Sequence, residues 1–210
     1  MAYRATEFTE SRKAQTRERL LKESKKLVSR EGFRGLSIAE VARLSGVATG
    51  TVYRYFPSKS ELCVAVFEQA TKREIDAVNQ VSTPHKTASE CLRVALDCFI
   101  QRAMKNPTLA YALIAEPVDP ELEQTRLNYR AHWANSFSRL IRRGIDQGEF
   151  IAQPDQLCAT ALVGAMAETV IIPLQQARHD TGNNAPITQS HCRQIVAFCL
   201  RAVLKPENAT

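Results

Sequence analysis

SIAEVARLSGVATGTVYRYFPSKSEL, residues 37–62, reads as two short helices joined by a glycine turn, followed at once by the start of a third. Ser37 heads the first helix and Glu40 follows three residues on, the spacing of a capping box. Ile38, Val41, Ala42 and Leu44 give that helix an apolar face. Ser45-Gly46-Val47 breaks it, because glycine enters the left-handed region at little cost. Ala48 to Phe56 resumes the helix; Pro57-Ser58-Lys59-Ser60-Glu61 stops it and starts the next, with Ser58 and Glu61 at the spacing of a second capping box. Helix, tight glycine turn, helix is the arrangement that lays a second helix in the major groove of DNA.

The charge distribution supports the same reading. Residues 1–60 hold 13 Lys and Arg against 6 Asp and Glu, a net +7, and residues 61–210 hold 15 against 16, a net −1. A basic segment attached to a near-neutral one suggests a module that faces phosphate. The competing reading, a solvated basic helix from Arg12 to Arg30, does not account for the helix-turn-helix beside it.

The motif GVATGTVYRYFPSKSEL, residues 46–62, resembles the signature of the TetR/AcrR family of bacterial transcriptional regulators. Gly46, Val47, Gly50, Thr51, Tyr53, Phe56, Lys59 and Leu62 fall where that family's pattern places them. The resemblance implies phosphate contacts from Ser37, Thr51, Tyr55 and Lys59 and base contacts from Thr49, Gly50 and Tyr53. The residues point the same way. Thr49 can bond a base or touch a thymine methyl, Gly50 lets the backbone approach the groove, and Arg54 can grip a guanine edge or a phosphate. Tyr53 has an alternative role, packing against the first helix. The chain departs from the family's pattern at Ala48, where Ser often caps the recognition helix.

The rest of the chain carries helical signals throughout, and an all-α fold follows. Residues 11–31 place Leu20, Leu21, Ser24, Leu27 and Val28 on one face, and Phe33 and Leu36 are positioned to close a small core. Helices are predicted over residues 62–81, 88–105 and 109–115, then from Pro120, with Asp119 as its cap, to about Gln147. Ser82-Thr83-Pro84 and Asn106-Pro107 interrupt the series. The last two helices, over about 155–177 and 188–204, are the most apolar, and the polar stretch RHDTGNNAP separates them. The first has Ala161, Gly164, Ala165 and Ala167 for close approach; the second has Cys192, Ile195, Val196, Cys199, Leu200 and Val203 as a stripe. So much apolar surface predicts a homodimer formed through these two helices, and the resemblance implies the same pairing as a four-helix bundle. The division expected is a DNA-binding domain over 1–57 and a helical ligand-binding and dimerisation domain over 58–210.

The resemblance also implies a small-molecule inducer in the C-terminal region. Candidate wall residues are Phe99, Met104, Tyr111, Trp133, Phe137, Met166 and Thr169, each of which also suits plain core. Glu168, the one charge between Leu157 and Leu174, faces either a ligand cation or a structural Arg. A ligand of apolar or amphipathic character suits this composition.

No run approaches the ~18–20 apolar residues of a membrane span, and residues 1–15 carry no apolar segment of a secretory signal. A cytoplasmic protein is expected, without a membrane partner. The six cysteines lack a CxxC pair and suit reduced, buried thiols over a redox switch. The four histidines lack metal-ligand spacing, His179-Asp180 near His191 being the nearest approach to one, and no cofactor is implied. No Ser/His/Asp, metal or phosphate-loop pattern supports an enzyme, and a recombinase needs a nucleophile and an acidic cluster as well. The function expected is a repressor released from double-stranded operator DNA by a small molecule; the alternative is a constitutive repressor without a ligand.

Overall fold

In the computed structural model, which describes residues 7–81, 86–179 and 189–205, helical periodicity becomes nine α-helices among the described residues. They are α1 (Glu7–Glu31), α2 (Ile38–Leu44), α3 (Thr49–Tyr55), α4 (Lys59–Val81), α5 (Ala88–Lys105), α6 (Pro107–Ile114), α7 (Pro120–Asp146), α8 (Asp155–His179) and α9 (Gln189–Arg201). The fold is all-α, an N-terminal helix-turn-helix followed by a helical C-terminal region. One isolated bridge, Phe150 to Leu204, is the extent of β pairing among the described residues. The interruption at Ser82-Thr83-Pro84, His85, Asp180 and most of the polar stretch before α9 lie outside the described residues.

The helix ends follow local chemistry. Gly46 takes φ 62° in the turn between α2 and α3. The Ser58 hydroxyl accepts from the Glu61 N–H at 3.0 Å and opens α4. Asp119 Oδ1 accepts from the N–H groups of Glu121 and Leu122, both at 3.1 Å, ahead of Pro120 at the head of α7. The capping box expected at Ser37 does not form. Ser37 holds the N-cap position of α2 without a side-chain bond, and Glu40 binds Arg43 at 2.6 and 2.8 Å. The partner one turn along the exposed face takes the carboxylate that was to reach back. A full capping box instead opens α5, between Thr87 and Glu90.

Two apolar clusters organise the chain. The first gathers Leu20, Leu27, Val41, Val52 and Phe56 of the helix-turn-helix with Val66 and Phe67 of α4, Leu109 and Ala112 of α6, and Leu122 of α7. The second joins α5, α7, α8 and α9. The N-terminal core is thus completed by side chains from α4, α6 and α7.

The last two helices correct the sequence reading of their faces. Cys192, Ile195, Val196, Cys199 and Val203 are all buried within the subunit, where α9 packs on α5 and α8. What stays exposed is Leu157 (66%), Ile172 (64%) and Phe198 (56%), with Ala161 and Gly164 on the same side of α8. α8 is also long and apolar enough, by length and composition, to cross a membrane, contrary to expectation. Its other side, Ala159, Leu162, Met166, Val170 and Leu174, is buried in the second cluster. The six thiols are free; burial pushes Cys63 and Cys199 up to about 11.

Candidate nucleic-acid interface and ligand cavity

α3 is held by one fully buried side chain, Val52, with Phe56 buried just beyond its end and the Arg17 guanidinium 5.1 Å over the Phe56 ring. The rest of α3 faces outward. Thr49, Gly50, Tyr53 and Arg54 are exposed, as are Ser37 and Lys59, and Thr51 and Tyr55 are partly buried. Tyr53 leaves 48% of its surface in solvent. A Cβ added at Gly50 meets nothing within 4 Å, so no packing inside the subunit requires glycine there. Ala48 occupies the N-cap of α3 without a side-chain bond. All eight residues named for DNA therefore lie on or beside α2, α3 and the head of α4.

Behind this surface, between α4, α5, α6, α7 and α8, lies a cavity of about 420 Å³. Phe99, Trp133 and Met166 of the residues named for a ligand line it. The other five do not line it. Phe137 is buried and stacks on Trp133 at 6.2 Å. Met104 packs against the second cluster. The Tyr111 hydroxyl bonds the Gln175 amide at 3.1 Å, and Arg178 sits 4.3 Å over its ring. Glu168 and Thr169 are exposed on α8, and the Thr169 hydroxyl donates to the Ala165 carbonyl at 2.7 Å. Each of the five is apolar or polar as anticipated, but helix rotation turns it elsewhere.

The cavity wall also contains residues that spacing did not point to. Phe67, Thr71, Glu74 and Val78 bring α4 into it, and Arg102, Arg126, Tyr129 and Arg130 give it a polar side. Burial, with Glu68 nearby, raises the Tyr129 phenol above its ordinary value and keeps it neutral. A second hollow of about 590 Å³ lies between α1 and α4. Its wall is largely long charged side chains, Lys22, Lys25, Lys26, Arg30 and Arg73 among them. Burial, then Arg73, lowers Lys25 there.

Two contacts tie the cavity wall to the helix-turn-helix. Phe67 meets the Phe33 ring at 6.5 Å on one side and Tyr129 edge-on at 5.6 Å on the other. Glu116, just past α6 and only 2% exposed, accepts from the backbone N–H of Phe33 at 2.8 Å and of Arg34 at 3.2 Å. Its own carbonyl accepts from Arg126 at 2.8 Å, and Arg126 also bonds the Ala112 carbonyl and Glu123. Gly32, at φ 75°, accommodates this arrangement, since an added Cβ would stand 2.6 Å from both Glu116 oxygens. Only side-chain coordinates reveal this latch, because its partners are 83 residues apart.

The comparisons agree with this architecture. The family model described as bacterial regulatory proteins of the tetR family matches residues 20–66, which run from mid-α1 into α4. HTH-type transcriptional regulators of two Staphylococcus aureus strains, bovine RF122 and USA300, are 30% and 29% identical over 101 residues. Each match covers 48% of this chain and 55% of the relative, so the chain spans about half the length of the curated relatives it matches. Among solved structures, RolR in complex with resorcinol is 20% identical, covers 95% of this chain and 93% of that one, and gives a TM-score of 0.70. FadR of Bacillus subtilis in complex with stearoyl-CoA is 18% identical, covers 88% and 98%, and gives 0.71. A regulator from Saccharomonospora viridis in complex with choline is 18% identical, covers 91% and 99%, and gives 0.72. Residues 20–66, which hold the helix-turn-helix, match the tetR family of bacterial regulatory proteins, and the helical region behind them shares the fold of these solved regulators.

Proposed function

We propose that this protein is a DNA-binding transcriptional repressor that a small molecule in the cavity releases from its operator. The observation that carries the reading is the cavity wall itself. α4 and α6 line it, and both reach the turn that precedes α2, through Phe67 against Phe33 and Glu116 on Phe33 and Arg34. A ligand that fits one packing of this wall displaces the helix-turn-helix by acting on its supports. It does so only to the extent of its differential affinity for the two packings. The structures with resorcinol, stearoyl-CoA and choline support a ligand of some kind and leave its chemistry open.

In this reading residues 1–57 form the DNA-binding domain and 58–210 the ligand-binding and dimerisation domain. Ser37, Thr51, Tyr55 and Lys59 hold phosphates, and Thr49, Gly50, Tyr53 and Arg54 meet base edges. Two subunits pair through the exposed side of α8 and α9, where Leu157, Ile172 and Phe198 have no cover within the subunit. Large apolar side chains exposed together on one face suit an interaction site. Two-fold pairing sets the recognition helices one DNA turn apart, ~34–36 Å, or a multiple of that.

Selection of genomic fragments by the purified protein, followed by footprinting, tests the reading. Two inverted half-sites are expected. Binding without sequence preference contradicts it. A metabolite screen in which no cavity ligand releases the selected fragment makes the constitutive repressor the better account.

A further inference from the structure

We infer that the cavity takes an organic anion, a carboxylate or equivalent charged head on an apolar body. The inference rests on reading this cavity as the inducer site, and it adds the chemical class.

One wall of the cavity is apolar. Val78, Leu109, Val163 and Met166 line it together with Phe99 and Trp133, whose rings meet edge-on at 5.6 Å. Such a surface holds a chain or ring, and a few polar groups must then orient it. The polar wall has one dominant sign. Glu74 is the one carboxylate among the lining residues, and Arg102 pairs with it through two guanidinium nitrogens. Arg126, Arg130 and Lys105 add three further cations. Arg126 pairs with Glu123 and Arg130 donates to the Ile114 carbonyl at 3.3 Å, while neither Arg130 nor Lys105 has a carboxylate in ion-pair range among the described residues. Arg102, Lys105 and Arg130 are exposed at the rim, where a cationic ligand meets like charge and an anion complements it.

A second, independent observation concerns hydrogen bonding. Thr71 and Arg126 both line the cavity and are only 6% and 5% exposed. The Thr71 hydroxyl and the Arg126 Nε are buried polar atoms with no partner. A buried group of this kind is costly to leave unmatched. Both can donate, so their shared complement is an acceptor, and a carboxylate offers about four acceptor sites. The volume of about 420 Å³ falls within the ~300–1,000 Å³ of small-molecule sites.

The test uses three probes with one chain and three heads: decanoate, 1-decanol and decyltrimethylammonium. Each is titrated into the full-length protein below its micelle concentration and followed by Trp133 fluorescence. Decanoate is expected to bind at least about tenfold more tightly than either other probe, with an advantage that shrinks as salt rises. The double variant Lys105→Ala, Arg130→Ala is expected to weaken decanoate roughly five- to tenfold and to leave decanol unchanged. Thr71→Val is expected to weaken decanoate and spare decanol. Absence of decanoate binding, or equal or tighter binding of decanol or decyltrimethylammonium, overturns the inference. Titrating the same probes against the selected DNA fragment separates the two readings. Decanoate that binds without releasing DNA upholds the anion class and refutes the sensor. Decanol or the ammonium compound binding more tightly and releasing DNA does the reverse.

Discussion

Replacing Glu116 with glutamine keeps the shape of the latch and removes half of its chemistry. The carboxylate accepts two backbone N–H groups, from Phe33 at 2.8 Å and Arg34 at 3.2 Å, in a position 2% exposed. An amide offers one oxygen, so its NH2 must face the second N–H donor. One charge-assisted bond is lost and one N–H in the turn is left unmatched, which costs ~1–3 kcal/mol. Burying an amide in place of a carboxylate recovers part of this, because the charge no longer has to be desolvated. A net loss of about 1–2 kcal/mol is expected, and roughly 2–4 kcal/mol for Glu116→Ala, which orphans both donors. Urea unfolding at fixed protein concentration measures it. With a slope near ~3 kcal/mol/M the glutamine variant should lose about 0.5 M in midpoint. Hydrogen exchange should localise the loss, with the Phe33 and Arg34 amides exchanging faster and those of α9 unaltered. Gly32→Ala should copy the defect, since its Cβ would push into the same carboxylate. A Glu116→Gln protein with wild-type midpoint and full protection at Phe33 would falsify the latch, and with it one of the two supports through which the cavity is proposed to act.

Four further outcomes follow from the structure. Gly50→Ala should raise helix stability by up to ~1 kcal/mol, having open space for its Cβ, yet weaken operator binding; paired thermal melts and binding titrations check this, and unchanged binding removes Gly50 from the interface. Lys59→Ala should weaken binding to all sequences and flatten the log–log salt slope by about one, whereas Arg54→Ala should change sequence preference; titrations on matched and scrambled operators separate the roles. Leu157→Glu with Ile172→Glu should give folded monomers in sedimentation, whereas Ile195→Glu with Val196→Glu should unfold the subunit, because only the second pair is buried. Glu149 should contribute acid sensitivity: burial raises its carboxyl, but the N–H groups of Ser89 and Ala88 outweigh this and hold it below 4.5. That stability is complete above about pH 5 and is lost as pH falls through the depressed value, so Glu149→Gln should flatten the acid limb of a stability–pH curve.

Where the sequence was sufficient, one local cause determined the outcome. The Asp119-Pro120 helix start and the Gly46 turn are fixed by neighbours in the chain, and both stand where the residues placed them. Where two partners compete for one group, the sequence was not sufficient. Glu40 was within reach of both Ser37 and Arg43, and the exposed ion pair took it. The stripe on α9 was legible as apolar, but spacing does not say whether a helix's own subunit or a second one covers it. The cavity was only partly legible for a related reason. Tyr111, Phe137 and Glu168 depend on the rotation of their helices, which packing sets, and the contribution of α4 depends on how that helix crosses α5 and α7. The Glu116 latch joins residues with no sequence relation at all.

The central claim is that the cavity and the DNA surface are coupled, and reciprocity tests it most directly. The tightest cavity ligand from a metabolite screen is titrated by Trp133 fluorescence, alone and with saturating selected operator. The account predicts that operator weakens the ligand by the same factor by which the ligand weakens operator, about 5–150-fold for a typical coupling. A ligand that binds in the cavity with one affinity, operator present or absent, contradicts it.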